Sequence, residues 1–345
     1  MSHTIPSSQQ VLVESTIEQF AAGSTVQAQI ATAHNTSVSG TYSLYFEYCE
    51  PKTATPAGIF QTHHGLVGNA AYWNVQLDNK TDNSFAESAA AAGWSTLSYD
   101  RLGVGNSSHP NGLTTVQINY EIAQSIGIAQ ALRNGYLSDL GKWSKVVGVG
   151  HSYGSNLLTG VAAINPGVFD ALVLTGFTNN ATQGPLGLAG FSSTIASVAY
   201  PSRFSSLGND YVITPSVSAD QLGFFHYPNY TQSALELFTT TKSEYSLGQQ
   251  NSIAGPLKLN RSNYTNPTLV VTGANDAPYC AADCSVTSLG GNKTQLDTAR
   301  TLYPGVADSA FETFVVPATG HGINYHETAY AAYQEIIAFI KRQNV

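Results

Sequence analysis

The sequence predicts an α/β fold: a mostly parallel central sheet flanked by helices, interrupted late in the chain by an inserted subdomain. Three observations carry this expectation. Short apolar runs alternate with helical patterns, as they do in a sheet built from βαβ units. Several of these runs are apolar at nearly every position, the form of parallel strands buried on both faces. Between Phe177 and Pro267 the rhythm breaks for about ninety residues. A structureless loop of that length is improbable in a compact domain.

In chain order, Thr41 to Cys49 is aromatic and β-branched enough for an early strand. Gly58 to Thr62 is a short strand ending at His63-His64-Gly65, and Trp94 to Tyr99 is the next, ending at Asp100. Ile118, Ile122, Ile126 and Ala129 recur at helical spacing and mark a helix packed on one face of the sheet. Lys145 to Val149 is a strand, followed by a helix over Ser155 to Ala163. Ala171 to Thr175, Thr268 to Thr272 and Phe314 to Val316 are further strands, and Glu327 to Lys341 is a closing helix. This divides the chain into a first core part (1–177), an insertion (178–266) and a second core part (267–345). Tyr200, Phe204, Tyr211, Phe224, Phe225, Tyr227, Tyr230 and Phe238 give the insertion enough apolar surface to pack as a cap over the C-terminal edge of the sheet.

Composition narrows the partners. The 345 residues carry a net charge of −8 with only 14 Lys and Arg, which leaves no basic stripe for nucleic acid or an anionic membrane surface. No run of 18 apolar residues occurs, and the polar start from Met1 to Gln10 lacks the basic and apolar regions of a signal peptide. Asn-x-Ser/Thr sequons stand at Asn35, Asn79, Asn106, Asn180, Asn229, Asn260, Asn263 and Asn292. Chance would give roughly four. The excess predicts a secreted or secretory-pathway protein whose signal was replaced by Met1, with a cytoplasmic protein as the alternative. Of three cysteines, Cys280 and Cys284 are close enough to close a short loop or to remain buried thiols with Cys49.

The chemistry gathers around Gly150-His151-Ser152-Tyr153-Gly154, the single Gly-x-Ser-x-Gly of the chain. The pattern alone is weak; its place between a strand and a helix gives it weight. A nucleophile on so sharp a turn needs small neighbours, and the helix start beside it favours developing negative charge. The plain alternative for Ser152 is a helix N-cap. A serine needs a base, and His321 in Gly320-His321-Gly322 lies on a loop expected to open at the same sheet edge. His326 is its rival and reads as a surface or capping residue, while His151 should point elsewhere. The base needs a carboxylate to fix its tautomer. Asp276, after the strand at Thr268 to Thr272, is preferred over Asp283; its plain alternative is an Asx-turn or cap. Backbone N–H groups of Tyr153 and Leu66 would hold the oxyanion, with His64 shaping the Leu66 loop or touching substrate. Phe224 and Phe225 are the expected apolar contacts to substrate.

His64-Gly65, the Asp100-Arg101-Leu102-Gly103-Val104-Gly105 turn, Gly150 to Gly154, Asp276 and Gly320-His321 together resemble the successive signatures of a capped α/β hydrolase over residues 58 to 340. The resemblance implies a cap inserted after the strand at Ala171 to Thr175, no metal or organic cofactor, and a structural role for Asp100 and Arg101. The expected reaction is hydrolysis of an ester or lactone of an apolar or aromatic small molecule through an acyl-enzyme. The turn at Asp100 to Gly105 is also similar to proline iminopeptidase relatives, whose substrate amine would need Asp210, Asp220, Glu236 or Glu244. A biosynthetic lyase or cyclase and a non-catalytic receptor are the remaining readings. Epoxide and haloalkane chemistry is disfavoured, because those relatives carry a carboxylate at the position of Ser152.

Overall fold

The computed structural model describes residues 2–4, 15–19, 34–52, 55–78, 81–137, 140–179, 189–286 and 289–345. Asn79 and Asn180 of the sequons, and most of the polar start, lie outside them. The first half contains β1 (Ser2–Thr4), β2 (Ser15–Gln19), β3 (His34–Val38), β4 (Ser43–Cys49), β5 (Ile59–His63), α1 (Phe85–Ala91), β6 (Ser95–Tyr99), α2 (Ile118–Asn134), β7 (Val146–His151), α3 (Tyr153–Ile164) and β8 (Ala171–Thr175). There follow β9 (Thr194–Ile195), β10 (Tyr211–Ile213), α4 (Val217–Phe224), α5 (Gln232–Thr241), β11 (Tyr245–Ser246) and α6 (Leu247–Ser252). The chain closes with β12 (Thr268–Gly273), α7 (Ala277–Cys280), β13 (Phe311–Val316) and α8 (Ala329–Arg342).

Eight strands form one sheet in the order β1-β4-β6-β5-β7-β8-β12-β13. All pairs from β6 to β13 are parallel, and β4 and β1 add antiparallel partners at one edge. From β5 the chain steps outward to β6, then returns to place β7 on the other side of β5. That reversal opens a crevice at the C-terminal ends of β5 and β7, where α/β sheets bind their ligands. The loops after β5, β7, β12 and β13 carry Leu66, Ser152, Asp276 and His321, so parallel pairing brings four distant stretches to one edge.

The central strands β5, β6, β7, β8 and β12 are buried at every position, which is why their apolar runs stood out. Strand β13 begins at Phe311, three residues before the expected start, because as an edge strand its first five residues are only half-buried. Strands β1 to β3 were not expected from the sequence; they are short, and among the described residues β2 pairs only with β3.

Between β8 and β12 the chain folds into helices around a small antiparallel sheet in the order β11-β10-β9. Phe191, Val212, Phe224, Phe238 and Tyr245 from this insertion join the main apolar core, while Ala196, Phe204, Tyr211 and Ile213 form a satellite cluster. Inside it, Lys242 Nζ donates to both oxygens of Asp220, at 2.9 and 2.7 Å, with both side chains fully buried. Thr214 and Thr239 also donate to that carboxylate. Removing one partner strands a charge in an apolar interior. Asp220→Ala should therefore lower unfolding free energy by about 3–5 kcal/mol, and Asp220→Leu combined with Lys242→Met should recover most of it. Urea denaturation of the single and double variants checks this; equal losses in the two would refute it.

Candidate active site

Ser152 lies between the last residue of β7 and the first of α3, with φ 56° and ψ −114°. A non-glycine residue in this region costs roughly 1–3 kcal/mol and persists only where its surroundings enforce it. Two contacts do so. The Ser152 N–H donates to Thr175 O at 2.9 Å, tying the turn to the end of β8. Gly154 fits so tightly against β5 that a Cβ there would lie 2.1 Å from His63 O. Although Ser152 stands at the cap position of α3, its side chain makes no capping bond, so the hydroxyl is not spent on the helix.

Asp276 and His321 meet. His321 Nδ1 is 2.6 Å from Asp276 Oδ2, with both side chains shielded from solvent. The other oxygen, Oδ1, accepts the Tyr279 N–H at 2.8 Å and caps α7. The carboxylate thus makes both the cap and the histidine contact that the sequence offered as alternatives. His321 Nε2 has no hydrogen-bond partner among the described residues, and no bond joins it to Ser152. Such bonds are often long before substrate binds.

Tyr279, which the sequence did not single out, links the two halves. Its ring stacks on that of His321 at 5.6 Å, and its hydroxyl accepts Asn156 Nδ2 at 2.6 Å. Burial raises its pKa, the Asp276 charge adds to this, and the Asn156 and Ser152 side chains act in the opposite direction as hydrogen-bonding neighbours of the hydroxyl. A Cys280–Cys284 disulfide closes the turn after it, and Cys49 is a half-buried thiol. Asp283, the alternative acid, is exposed and bonded to Ser285, away from His321.

The loop after β5 abuts Ser152: a Cβ on Gly65 would lie 3.0 Å from Ser152 Cβ. Leu66 is buried within this loop, and Tyr153 opens α3, where the first-turn N–H groups lack helical acceptors. His64 is buried in this loop. Its Nδ1 is 2.8 Å from Gly65 O and its Nε2 accepts the Arg101 N–H at 3.1 Å, so both ring nitrogens hold backbone. These bonds give His64 the loop-shaping part that the sequence offered beside a substrate contact.

Two further histidines differ from expectation. His326 is fully buried, not a surface residue: Nε2 accepts the N–H groups of Gly320 and His226, both at 3.0 Å, and Nδ1 faces Gly322 O. It braces the loop that carries His321. The His151 ring, expected to point elsewhere, lies 4.8 Å from the His321 ring and stacks on Tyr72 at 4.5 Å. Phe224 packs 5.7 Å from the His321 ring, and its carbonyl accepts the Gly322 N–H at 2.7 Å. Phe225 sits one layer away, against Tyr230, Phe238 and His326.

Of the carboxylates weighed for an amine, Asp210 and Asp220 are engaged elsewhere, while Glu244 keeps Oε2 unpartnered among the described residues. Asp220 pairs with Lys242, Glu244 with His109 and the Gly105 N–H, and Asp210 with the Gly112 N–H, while Glu236 is exposed. Among the described residues no group of three or more His, Cys, Asp or Glu side chains could hold a metal ion, and no helix is long and apolar enough to cross a membrane.

A family model for the alpha/beta hydrolase fold matches residues 62–278, more than half of the chain. The chain belongs to the α/β hydrolase fold family. Comparison with curated proteins found no match. Among solved structures this α/β hydrolase is similar to a soluble variant of monoglyceride lipase from Saccharomyces cerevisiae in complex with a substrate analog, at 11% identity over 89% of this chain and 94% of that one, TM-score 0.59. It is similar to a bromoperoxidase from Bacillus anthracis at 15% identity over 95% and 100% of the two chains, TM-score 0.57. A malate-bound thermophilic esterase from Thermogutta terrifontis matches at 14% identity over 96% and 100%, TM-score 0.52. At such identities the likeness shows the fold.

Burial sets how this α/β hydrolase responds to acid. It pushes His326 down to about 4 and His63 to about 3. Folded-state pKa values below the unfolded 6.5 mean that the unfolded chain takes up protons first as pH falls. Stability is then full above pH 6.5 and declines through 4 toward 3. The urea midpoint should fall across that window, and His326→Gln should flatten the upper part of the slope. A slope unchanged in His326→Gln would refute the assignment.

Proposed function

We propose that this α/β hydrolase is a serine esterase: Ser152 attacks a carboxylic ester or lactone carbonyl, His321 carries the proton, Asp276 orients His321, and the N–H groups of Leu66 and Tyr153 receive the oxyanion. The observation that carries the reading is the buried 2.6 Å contact between His321 Nδ1 and Asp276 Oδ2 with Nε2 left unpartnered. That contact makes Nδ1 the donor and leaves Nε2 as a base. The strained backbone of Ser152 and a side chain that makes no capping bond at the helix start support its part as nucleophile. Attack transfers the serine proton to His321, which passes it to the departing alcohol; a water then repeats the sequence to release the acid. Phe224 and Tyr279 beside His321 favour an apolar acyl or alcohol group. The engagement of Asp210 and Asp220 in other contacts weighs against an aminopeptidase.

A fluorophosphonate should label the wild-type protein and not Ser152→Ala. Ser152→Ala and His321→Ala should each lower kcat by several orders of magnitude, far from additively, and Asp276→Asn somewhat less. Along a graded ester series, each newly buried methylene should add about fourfold to kcat/KM, equivalent to about 0.8 kcal/mol. Absence of labelling would leave a receptor. Faster cleavage of free-amine arylamides than of any ester would favour a peptidase.

We also propose passage through a secretory compartment, supported by the Cys280–Cys284 bridge and by the exposed sequons at Asn106, Asn260, Asn263 and Asn292. Protein from a eukaryotic secretory host should lose mass on deglycosylation; an unchanged mass would refute glycosylation.

A further inference from the structure

Beneath the proposed oxyanion site lies a buried polar cluster that the reaction above does not use. Arg101, fully buried, donates through Nε to His64 O at 3.1 Å, through Nη2 to Gly65 O at 3.2 Å and through Nη1 to Glu121 Oε1 at 2.7 Å. Its guanidinium lies 4.2 Å from the centre of the Tyr153 ring. Glu121 Oε2 accepts the Tyr153 hydroxyl at 2.5 Å, and Oε1 also accepts Gln249 Nε2 at 2.9 Å. Every partner of Glu121 is a donor, which suits an ionised carboxylate. Gln249 belongs to α6 of the insertion, so the cluster joins three parts of the chain: the loop after β5, the start of α3 and the cap.

The arrangement acts on the two N–H groups proposed to bind the oxyanion. The carbonyl of Gly65 and the N–H of Leu66 belong to one planar trans peptide and point in opposite directions. Arg101 and His64 Nδ1 both hold that carbonyl, so they also fix the direction of the Leu66 N–H. Tyr153 carries the other N–H, and its side chain is clamped between Glu121 and Arg101. An ordinary structural ion pair has no need to reach both segments. Breaking such a pair outright would strand a buried charge, so its cost to folding could mask its cost to catalysis.

We propose that the Arg101–Glu121 pair, locked by Gln249 from the cap, is a positioning device that holds the Leu66 and Tyr153 N–H groups in register for the oxyanion. The inference rests on the serine esterase reading. Neither residue touches substrate; each acts through backbone. Docking of the cap thereby sets the geometry of the oxyanion site.

Two variants test this: Tyr153→Phe removes one bond to Glu121, and Gln249→Leu removes the bond from the cap together with those to Leu102 O and the Ser246 N–H, so its folding is measured beside its activity. Each is compared with wild type by thermal unfolding, by kcat and KM on one ester, and by inhibition with the matching trifluoromethyl ketone, whose adduct carries an oxyanion. Loss of a whole oxyanion donor costs roughly 10²–10³-fold in kcat, and loosening both donors should cost about tenfold. The expected result is kcat lowered and ketone binding weakened by the same factor, with KM within about twofold of wild type. Folded variants that retain kcat, or that lose kcat while binding the ketone as wild type does, overturn the positioning role. Gln249→Leu decides the matter if Tyr153→Phe does not fold. Wild-type protein that takes up no fluorophosphonate would sink the esterase reading and this inference with it; labelled wild type with fully active variants sinks this inference alone.

Discussion

The site depends on a backbone contact. Helix α3 begins hard against the end of β5, with Gly154 where any side chain would collide with the His63 carbonyl. This contact, with the bond from Ser152 N–H to Thr175, drives Ser152 into a backbone region that serine ordinarily avoids. The strain is held by the sheet and not by the turn. Close-packed interiors resist the relaxation that would relieve it, so rigidity of β5, β7 and β8 becomes precision at one hydroxyl.

A second layer of constraint is electrostatic. Buried polar groups must find partners, and here the partners are backbone carbonyls and N–H groups of the loops that matter. His326 braces the loop of His321, His64 and Arg101 brace the loop of Leu66, and Asp276 caps the helix that brings Tyr279 beside His321. Each bracing group is a polar side chain whose removal would leave a main-chain group unsatisfied. The candidate catalytic residues therefore sit on loops whose main-chain groups are held by buried side chains.

What the sequence disclosed and what it hid follow from the range of the interactions involved. The central strands were legible because burial on both faces leaves a continuous apolar run, and the turn at Ser152 because strand, small residues and helix succeed one another locally. His321 and Asp276 were legible because each follows a strand whose direction is set by its parallel neighbours. The edge strands β1 to β3 and the start of β13 were not, since half-exposed or isolated pairs leave no such run. His326 misled because its partners, Gly320 and the distant His226 N–H, are known only once the insertion has folded back. Glu121, Gln249 and Tyr279 carried no local signal: a glutamate on a helix, a glutamine in a cap and a tyrosine after a proline are ordinary, and only long-range packing gives them a common purpose.

The division of the site along the chain has its own consequence. Ser152 and the two N–H groups beside it come from the segment before the insertion, whereas Asp276 and His321 come after it. Domains made on the ribosome emerge N-terminus first, at about 5–20 residues per second. For roughly 10–30 seconds between the appearance of Ser152 and that of His321, the nascent chain would, on the proposed reading, display a hydroxyl with no base to activate it. On the proposed reading, the triad assembles only when β13 joins the sheet edge, so completion of the fold would also be the moment at which the polypeptide becomes chemically competent.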